Sequence, residues 1–180
     1  MLLDVATLEL HPIKFGESFV SGKLNFSGSG WTQEGRLNAT GVAELLEPAG
    51  SCAIRVCGTI ETKMQSTCAR CLESVEIHLE EEIRLLYFAM SVDTDVRQGG
   101  VAGERVVVGF YEDYGLELAD VLREQVMLLL PMRSICKDEC KGICEQCGTN
   151  RNEEECDCVA TPSDSRWDVL RKLQLKIGHQ

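Results

Sequence analysis

The chain has 180 residues, of which 44% are hydrophobic and 26% are charged, and this composition excludes wholesale disorder. Its 18 basic and 29 acidic residues give a formal net charge of −11, which excludes a protein that coats nucleic acid through bulk positive charge. The length fits one domain, or one domain with an appended module.

The N-terminal segment predicts neither secretion nor membrane insertion. It contains Asp4 and Glu9 and has no uninterrupted apolar stretch. The longest apolar run, residues 126–131, is far shorter than the roughly 20 residues of a membrane span. We therefore expect a cytoplasmic protein with no membrane partner. In that compartment thiols stay reduced, so the ten cysteines point to metal binding or redox chemistry rather than to disulfides.

Alternating apolar and polar residues predict strands along the first two thirds of the chain. The two strongest patterns cover 52–64 and 75–87, and the segment between them predicts an antiparallel hairpin with Cys68 and Cys71 near its tip. Weaker strands are predicted at 19–26, 37–46 and 104–110, separated by glycine-rich turns. Together they predict an α+β fold whose strands form an antiparallel sheet or a small barrel.

Two helices are predicted, one on each side of the cysteine-rich tract. Residues 116–130 place their apolar side chains on one helical face, and Pro131 ends this pattern. Residues 164–176 repeat apolar side chains at three-residue spacing and can begin at a Ser163 or Asp164 cap. The second helix carries four basic side chains, which are candidates for contact with phosphate or with another partner: Arg166, Arg171, Lys172 and Lys176.

Charge and cysteine content divide the chain after Pro131. Residues 1–131 contain 10 basic and 20 acidic residues, whereas residues 132–180 contain 8 and 9. Six of the ten cysteines lie between Cys136 and Cys158, in a tract with little apolar periodicity. Such a tract lacks the side chains for a core of its own, and a bound metal can replace one. We expect an acidic β-rich domain at 1–131 and a zinc-stabilised module at 132–180.

The clearest half-site for a metal lies in the run G-I-C-E-Q-C-G. Cys144 and Cys147 are spaced to turn two thiolates toward one ion, and Gly148 suits the left-handed backbone of such a knuckle. Cys156 and Cys158 follow closely and complete a compact set of four thiolates. These four residues are the predicted ligands of one structural zinc ion.

A second zinc site is predicted from the remaining clustered cysteines. Cys68 and Cys71 on the hairpin would join Cys136 and Cys140, which follow the first helix, and the ion would clamp the sheet to the C-terminal module. The spacing alone also allows the hairpin pair to combine with Cys144 and Cys147. Iron–sulfur ligation is a further alternative, although the order of cysteines matches neither common ferredoxin spacing.

The same residues argue against catalysis. A catalytic zinc keeps an open position and commonly uses histidine or carboxylate ligands, but the three histidines, His11, His78 and His179, are scattered. A thiol redox protein would carry its C-x-x-C at the start of a helix, whereas this one precedes a strand. We expect no enzyme and no small-molecule substrate. Cys52 and Cys57 are interpreted as small apolar side chains of a strand.

Filled zinc sites would make the chain still more acidic, because four thiolates around one Zn²⁺ leave two negative charges. This favours a basic partner, as many ribosomal proteins are. A module for another basic protein and a thiol redox protein are the alternatives.

Five motifs in a fixed order carry a family resemblance. They are C-A-R-C-L at 68–72, L-L-L-P-M at 128–132, C-K-D-E-C-K-G-I-C-E-Q-C-G-T-N-R-N at 136–152, C-D-C at 156–158 and D-S-R-W-D-V-L-R-K-L at 164–173. In this order they resemble the YceD-like family, the large ribosomal RNA subunit accumulation proteins, over about residues 15–173. Arg151 is a departure, because the family often has an apolar residue there.

The resemblance implies a bacterial or organellar factor for the accumulation of large-subunit (23S) ribosomal RNA, without known catalysis. It implies as partner either the precursor of that RNA or a basic ribosomal protein. Arg70 matches the family's C-x-R-C and is a further candidate for contact with RNA or protein.

Overall fold

The computed structural model describes residues 1–46, 52–90, 107–112 and 114–158. The strands and helices in these ranges are, in chain order, β1 (Leu2–Asp4), α1 (Val5–Leu10), β2 (Ile13–Val20), β3 (Trp31–Leu46), β4 (Ala53–Thr67), β5 (Ser74–Ala89), β6 (Val107–Tyr111), β7 (Gly115–Glu117) and α2 (Leu118–Leu129). Five strands form one open sheet in the order β2-β3-β4-β5-β6, and β1 pairs with β7.

The centre of the sheet is the long hairpin of β4 and β5. It pairs in antiparallel register from Ala53 with Phe88 to Thr67 with Ser74, so the predicted hairpin is confirmed. Alternation explains it: one face carries buried apolar side chains such as Val56, Ile60 and Met64, while charged side chains occupy the other face. The loop that joins β4 to β5 at the tip of this hairpin carries the first two clustered cysteines.

The edges of the sheet differ from the prediction. The described strands form an open sheet and not a barrel, and β6 pairs with β5 in parallel, so the sheet is mixed rather than wholly antiparallel. Of the strand predicted at 104–110, residues 104–106 lie outside the described residues. Alternation of side chains marks a strand but not the direction of its neighbour, which is why this feature was missed.

The strand predicted at 19–26 is wrong for most of its length. β2 covers 13–20, and the chain then turns before β3 begins at residue 31, earlier than the predicted 37. Leu24 and Phe26 are buried in the core, but they lie in this turn and not in a strand. Gly22, with φ of 81°, supplies a left-handed backbone that an extended strand does not allow.

Helix α2 shares one core with the buried apolar side chains of the sheet. Its position, Leu118–Leu129, confirms the predicted helix. Leu118, Val121, Leu122 and Val126 are buried and belong to the main apolar core. The chain stops being helical at Leu130, directly before Pro131. No helix of the described residues is both long enough and apolar enough to cross a membrane. The helix predicted at 164–176 lies outside the described residues.

Helix α1 was not predicted, because six residues are too short to show a periodic pattern. Its N-terminus is capped by the Asp4 carboxylate, which accepts hydrogen bonds from the backbone N–H groups of Ala6 and Thr7, each at 3.2 Å. The hydroxyl of Thr7 also donates to Asp4, and this bond lowers the pKa of the Asp4 carboxyl.

Two glycines lie opposite one another at the centre of the sheet. Gly41 of β3 pairs with Gly58 of β4, and the ring of Phe15 packs against Gly41. A Cβ added at Gly41 would lie 2.6 Å from Cζ of Phe15 and 2.3 Å from the carbonyl oxygen of Cys57. The absence of a side chain at Gly41 therefore lets the aromatic ring lie directly on the backbone of the sheet.

Candidate metal centre

The tip of the β4–β5 hairpin forms a knuckle that turns two thiols to the same side. The backbone N–H of Cys68 donates to the carbonyl of Glu73 at 2.8 Å, and the N–H of Leu72 donates to the carbonyl of Cys68 at 3.0 Å. Leu72 closes this turn with a φ of 65°, the left-handed conformation that glycine adopts most easily. Its side chain is 62% exposed, so the core does not enforce this conformation.

The second knuckle repeats this geometry 76 positions later in the chain. The N–H of Cys144 donates to the carbonyl of Thr149 at 2.8 Å, and the N–H of Gly148 donates to the carbonyl of Cys144 at 2.8 Å. Gly148 has a φ of 75° and occupies the place that Leu72 takes in the first knuckle. The two C-x-x-C turns are therefore built alike, except that the first holds a leucine where the backbone favours glycine.

Cys68 and Cys71 lie together with Cys136 and Cys140 in a group that we call site 1. The sulfur atoms of Cys68 and Cys140 are 3.9 Å apart, those of Cys71 and Cys136 are 3.6 Å apart, and all four lie within 4.8 Å of one another. Thiolates bound at about 2.3 Å to a tetrahedral zinc ion lie about 3.8 Å from each other. A disulfide would require about 2.05 Å. The spacing fits a four-coordinate ion.

The cysteine-rich segment is bound to the hairpin by backbone hydrogen bonds on both sides of site 1. The N–H of Ala69 donates to the carbonyl of Ser134 at 2.8 Å, and the Ser134 hydroxyl donates to the carbonyl of Thr67 at 2.6 Å. Further along, the N–H of Ile143 donates to the carbonyl of Arg70 at 3.0 Å. Residues 132–158 therefore pack directly on the hairpin. The domain boundary after residue 131 stays a prediction.

Arg70 lies between the two cysteines of the first knuckle and reaches across site 1. Its guanidinium donates to the carbonyl oxygens of Asp138 at 2.9 Å and of Cys140 at 3.2 Å. These bonds fix the loop that carries Cys140. Arg70 was predicted as a contact for RNA or protein, and this contact stays a prediction. In the structure its side chain forms hydrogen bonds within the chain. The other predicted contacts, Arg166, Arg171, Lys172 and Lys176, lie outside the described residues.

Cys144 and Cys147 lie together with Cys156 and Cys158 in a second group, site 2, with all four sulfur atoms within 4.8 Å of one another. Only Cys144 is buried, whereas three of the four cysteines of site 1 are buried. Site 2 is therefore the more accessible of the two groups. Each group contains the four cysteines that the sequence predicted. The two C-x-x-C turns lie in different groups, so the alternative in which both surround one ion is wrong.

Hydrogen bonds to sulfur lower the pKa of a buried thiol in each site, whereas burial raises the pKa of Cys136 in site 1 and the hydrogen bond with Cys147 raises that of Cys158 in site 2. The backbone N–H of Cys71, with further N–H groups of Arg70 and Cys136, lowers the pKa of Cys68 to about 6. The backbone N–H of Cys147, with the N–H of Gln146 and the Arg151 guanidinium, lowers the pKa of Cys144 to about 5. The ordinary value is about 8.5. Each site thus presents a thiolate at neutral pH, which is the form that binds metal.

Sequence reasoning missed two residues beside these sulfur atoms. The side-chain amide of Asn152 donates to Cys140 at 3.3 Å, and the guanidinium of Arg151 donates to Cys144 at 3.4 Å. Spacing gave no sign of them beyond the polar run between the second knuckle and C-D-C. Of the two cysteines interpreted as small apolar side chains of a strand, Cys57 is half-buried in β4, whereas Cys52 is exposed and lies just before β4.

Residues 56–174 match the family described as Large ribosomal RNA subunit accumulation protein YceD. The chain belongs to the YceD family. The resemblance drawn from the five motifs is thus confirmed, although the match begins at residue 56 rather than near residue 15. Both sites of this YceD-family chain lie inside the matched segment, whereas β1 to β3 precede it.

Relatives of this YceD-family chain are found in bacteria and in a plant. A protein of Mycobacterium leprae described as uncharacterized is 29% identical over 54% of this chain and 42% of its own length. The Large ribosomal RNA subunit accumulation protein YCED homolog 1, chloroplastic, of Arabidopsis thaliana is 32% identical over 33% of this chain and 18% of its own length. The chain therefore covers less than half the length of each of these relatives. No solved structure matches it.

Proposed function

We propose that this chain is a non-catalytic factor that supports the accumulation of large-subunit ribosomal RNA and that two structural zinc ions hold its partner-binding surface together. The observation that carries the proposal is the pair of four-cysteine groups inside the segment that matches the YceD family. The family description and the printed name of the plant relative supply the link to ribosomal RNA.

The donor sets favour structural metal. Zinc with four thiolate ligands has no open position for water or substrate, which a catalytic zinc requires. When bound, the ion in site 1 cross-links the hairpin to the C-terminal segment. The protein's own residues orient the ligands, through the knuckle hydrogen bonds and through Arg70. The arrangement suits a scaffold that presents a fixed surface.

The charge of the chain favours a basic ribosomal protein over ribosomal RNA as the direct partner. Each four-thiolate zinc site adds two negative charges to the formal −11. Residues 132–158 contain four basic and seven acidic residues, so the described part of the module offers RNA little net attraction. A surface of this kind attracts basic protein segments and repels phosphate. We place the protein in the cytoplasm, where bacterial ribosomes assemble.

Deletion of the gene tests the proposal. The deletion strain should show a lower ratio of large-subunit to small-subunit ribosomal RNA and should accumulate large-subunit precursors, and the wild-type gene should restore both. The protein should co-sediment with precursor particles at low salt. Retention on particles after nuclease treatment would indicate a protein partner. An unchanged RNA ratio with unchanged precursors would refute the proposal.

A thiol redox protein is the second candidate, because the pKa values of Cys68 and Cys144 are lowered as in reactive thiols. Metal content separates the two candidates. About two zinc ions per chain, in protein purified without affinity metal, supports the scaffold. Protein that holds no metal and binds none on titration would refute the scaffold and favour dithiol chemistry.

A further inference from the structure

The two metal sites are joined by short segments that contact both of them. Residues 141–143 connect the last cysteine of site 1, Cys140, to the first cysteine of site 2, Cys144. Residues 150–152 lie against this connection, because the N–H of Arg151 donates to the carbonyl of Gly142 at 2.9 Å and Ile143 pairs with Asn150. The sites therefore share a wall made of two short backbone segments.

Asn152 faces site 1 from this wall. Its amide nitrogen donates to the sulfur of Cys140 at 3.3 Å, and its amide oxygen accepts a hydrogen bond from the N–H of Lys141 at 2.9 Å. The same amide nitrogen donates to the side-chain oxygen of Asn150 at 2.8 Å. The side chain is thus fixed by three partners, one of which is a sulfur atom of site 1.

Arg151, the neighbouring residue, faces site 2. Its guanidinium donates to the sulfur of Cys144 at 3.4 Å and also contacts the thiol of Cys156. The cation offsets part of the negative charge that four thiolates place on site 2. The resemblance to the family marks this residue as a departure, and the structure places its charged side chain beside the proposed metal ligands. Two consecutive residues therefore contact the ligands of different sites.

We propose that Arg151 and Asn152 are positioning residues that couple the two sites, so that metal bound at either site raises the metal affinity of the other. The inference rests on the proposed metal binding. With metal in site 2, its thiolates hold the guanidinium of Arg151 and thereby fix the backbone that carries Asn152 onto Cys140. With site 2 empty, that anchor is lost. Thermodynamic linkage requires the effect to be reciprocal.

The test is an equilibrium competition titration of the full chain with zinc and a chromophoric chelator. A variant with Cys156→Ser and Cys158→Ser disables site 2, and Cys136→Ser disables site 1. We expect each remaining site to bind zinc about ten-fold more weakly than in the wild type, within the range of measured couplings. Equal affinities in the presence and absence of the other site would overturn the proposal.

The role of Asn152 is tested by a double-mutant cycle. Asn152→Asp keeps the oxygen that accepts from Lys141 but loses the donor to Cys140, and Asn152→Ala shows whether the new charge matters. Either variant should weaken zinc binding at site 1 about ten-fold. In either background, disabling site 2 should then leave site 1 unchanged. Additive losses would show that Asn152 supports the fold but does not couple the sites.

The role of Arg151 is tested by conservative rescue. Arg151→Lys keeps the positive charge and should retain most of the coupling, whereas Arg151→Leu should lose it. Glu154→Gln is the matched control in the same loop, because Glu154 is exposed and its side chain makes no hydrogen bond to a thiol among the described residues. It should leave both affinities unchanged. Two zinc ions bound with independent affinities would refute only the coupling, whereas absence of zinc binding would refute the metal sites as well.

Discussion

Replacement of Arg70 by alanine should loosen site 1. The side chain makes two hydrogen bonds to the loop that carries Cys140, at 2.9 and 3.2 Å. A hydrogen bond from a charged donor contributes about 1.5–3 kcal/mol when it is well shielded. Arg70 is exposed and solvent screens its charge, so we expect about 1–2 kcal/mol for the two bonds together. Since 1.4 kcal/mol is a factor of ten, zinc at site 1 should bind about ten-fold more weakly.

Competition titration with a chelator measures this loss, and thermal unfolding of the loaded protein gives an independent readout. Arg70→Lys can restore one bond and should give an intermediate affinity. Arg133→Ala is the control, because it removes the same charge from an exposed position three residues before Cys136. Wild-type zinc affinity in Arg70→Ala would refute this reasoning. If Arg70→Ala kept wild-type zinc affinity but co-sedimented more weakly with ribosomal precursors, Arg70 would be a contact for a partner, as first predicted from the sequence.

Three further predictions concern the backbone and the thiols. Leu72→Val should have a free energy of unfolding in urea about 1 kcal/mol lower than that of Leu72→Gly, because a branched side chain tolerates the φ of 65° poorly; equal free energies would contradict this. Gly41→Ala should destabilise the fold by about 3 kcal/mol or more, since the new Cβ would lie 2.3 Å from the Cys57 carbonyl oxygen, and an unchanged thermal midpoint would exclude that clash. The lowered pKa of Cys144, about 5, favours the folded state fully above the ordinary thiol value, and this contribution is lost as pH falls through about 5. Site 2 should therefore keep zinc at pH 7 and release it toward pH 5 in a colorimetric assay; complete release near pH 7 would disprove this.

The fold could be predicted from sequence where side-chain alternation or helical periodicity is long. The β4–β5 hairpin and helix α2 both meet this condition. Leu24 and Phe26 show the limit, because they alternate with polar residues as a strand does but are buried from within a turn. The parallel pairing of β6 with β5 depends on the path between the strands, which no local pattern encodes.

The composition of both four-cysteine groups could be predicted because thiols are rare and their spacing limits which of them can meet. The surroundings of the sulfur atoms were not. Asn152 reaches Cys140 only because residues 150–152 fold back on residues 141–143, and the sequence carries no mark of this return. The left-handed backbone of Leu72 could not be predicted either, because glycine and not leucine is the residue that usually adopts this conformation.

Site 1 cannot form until late in the synthesis of the chain, because its cysteines lie far apart in the sequence. Cys68 leaves the ribosome 72 residues ahead of Cys140, with which it lies in contact in the finished protein. At about 5–20 residues per second, translation separates the two by roughly 4–14 seconds. During that interval Cys68 and Cys71 have been synthesised but Cys136 and Cys140 have not, so the first two thiols are exposed to oxidants and to competing ions. Site 2 has no such delay, because its four cysteines lie within one short tract and emerge almost together.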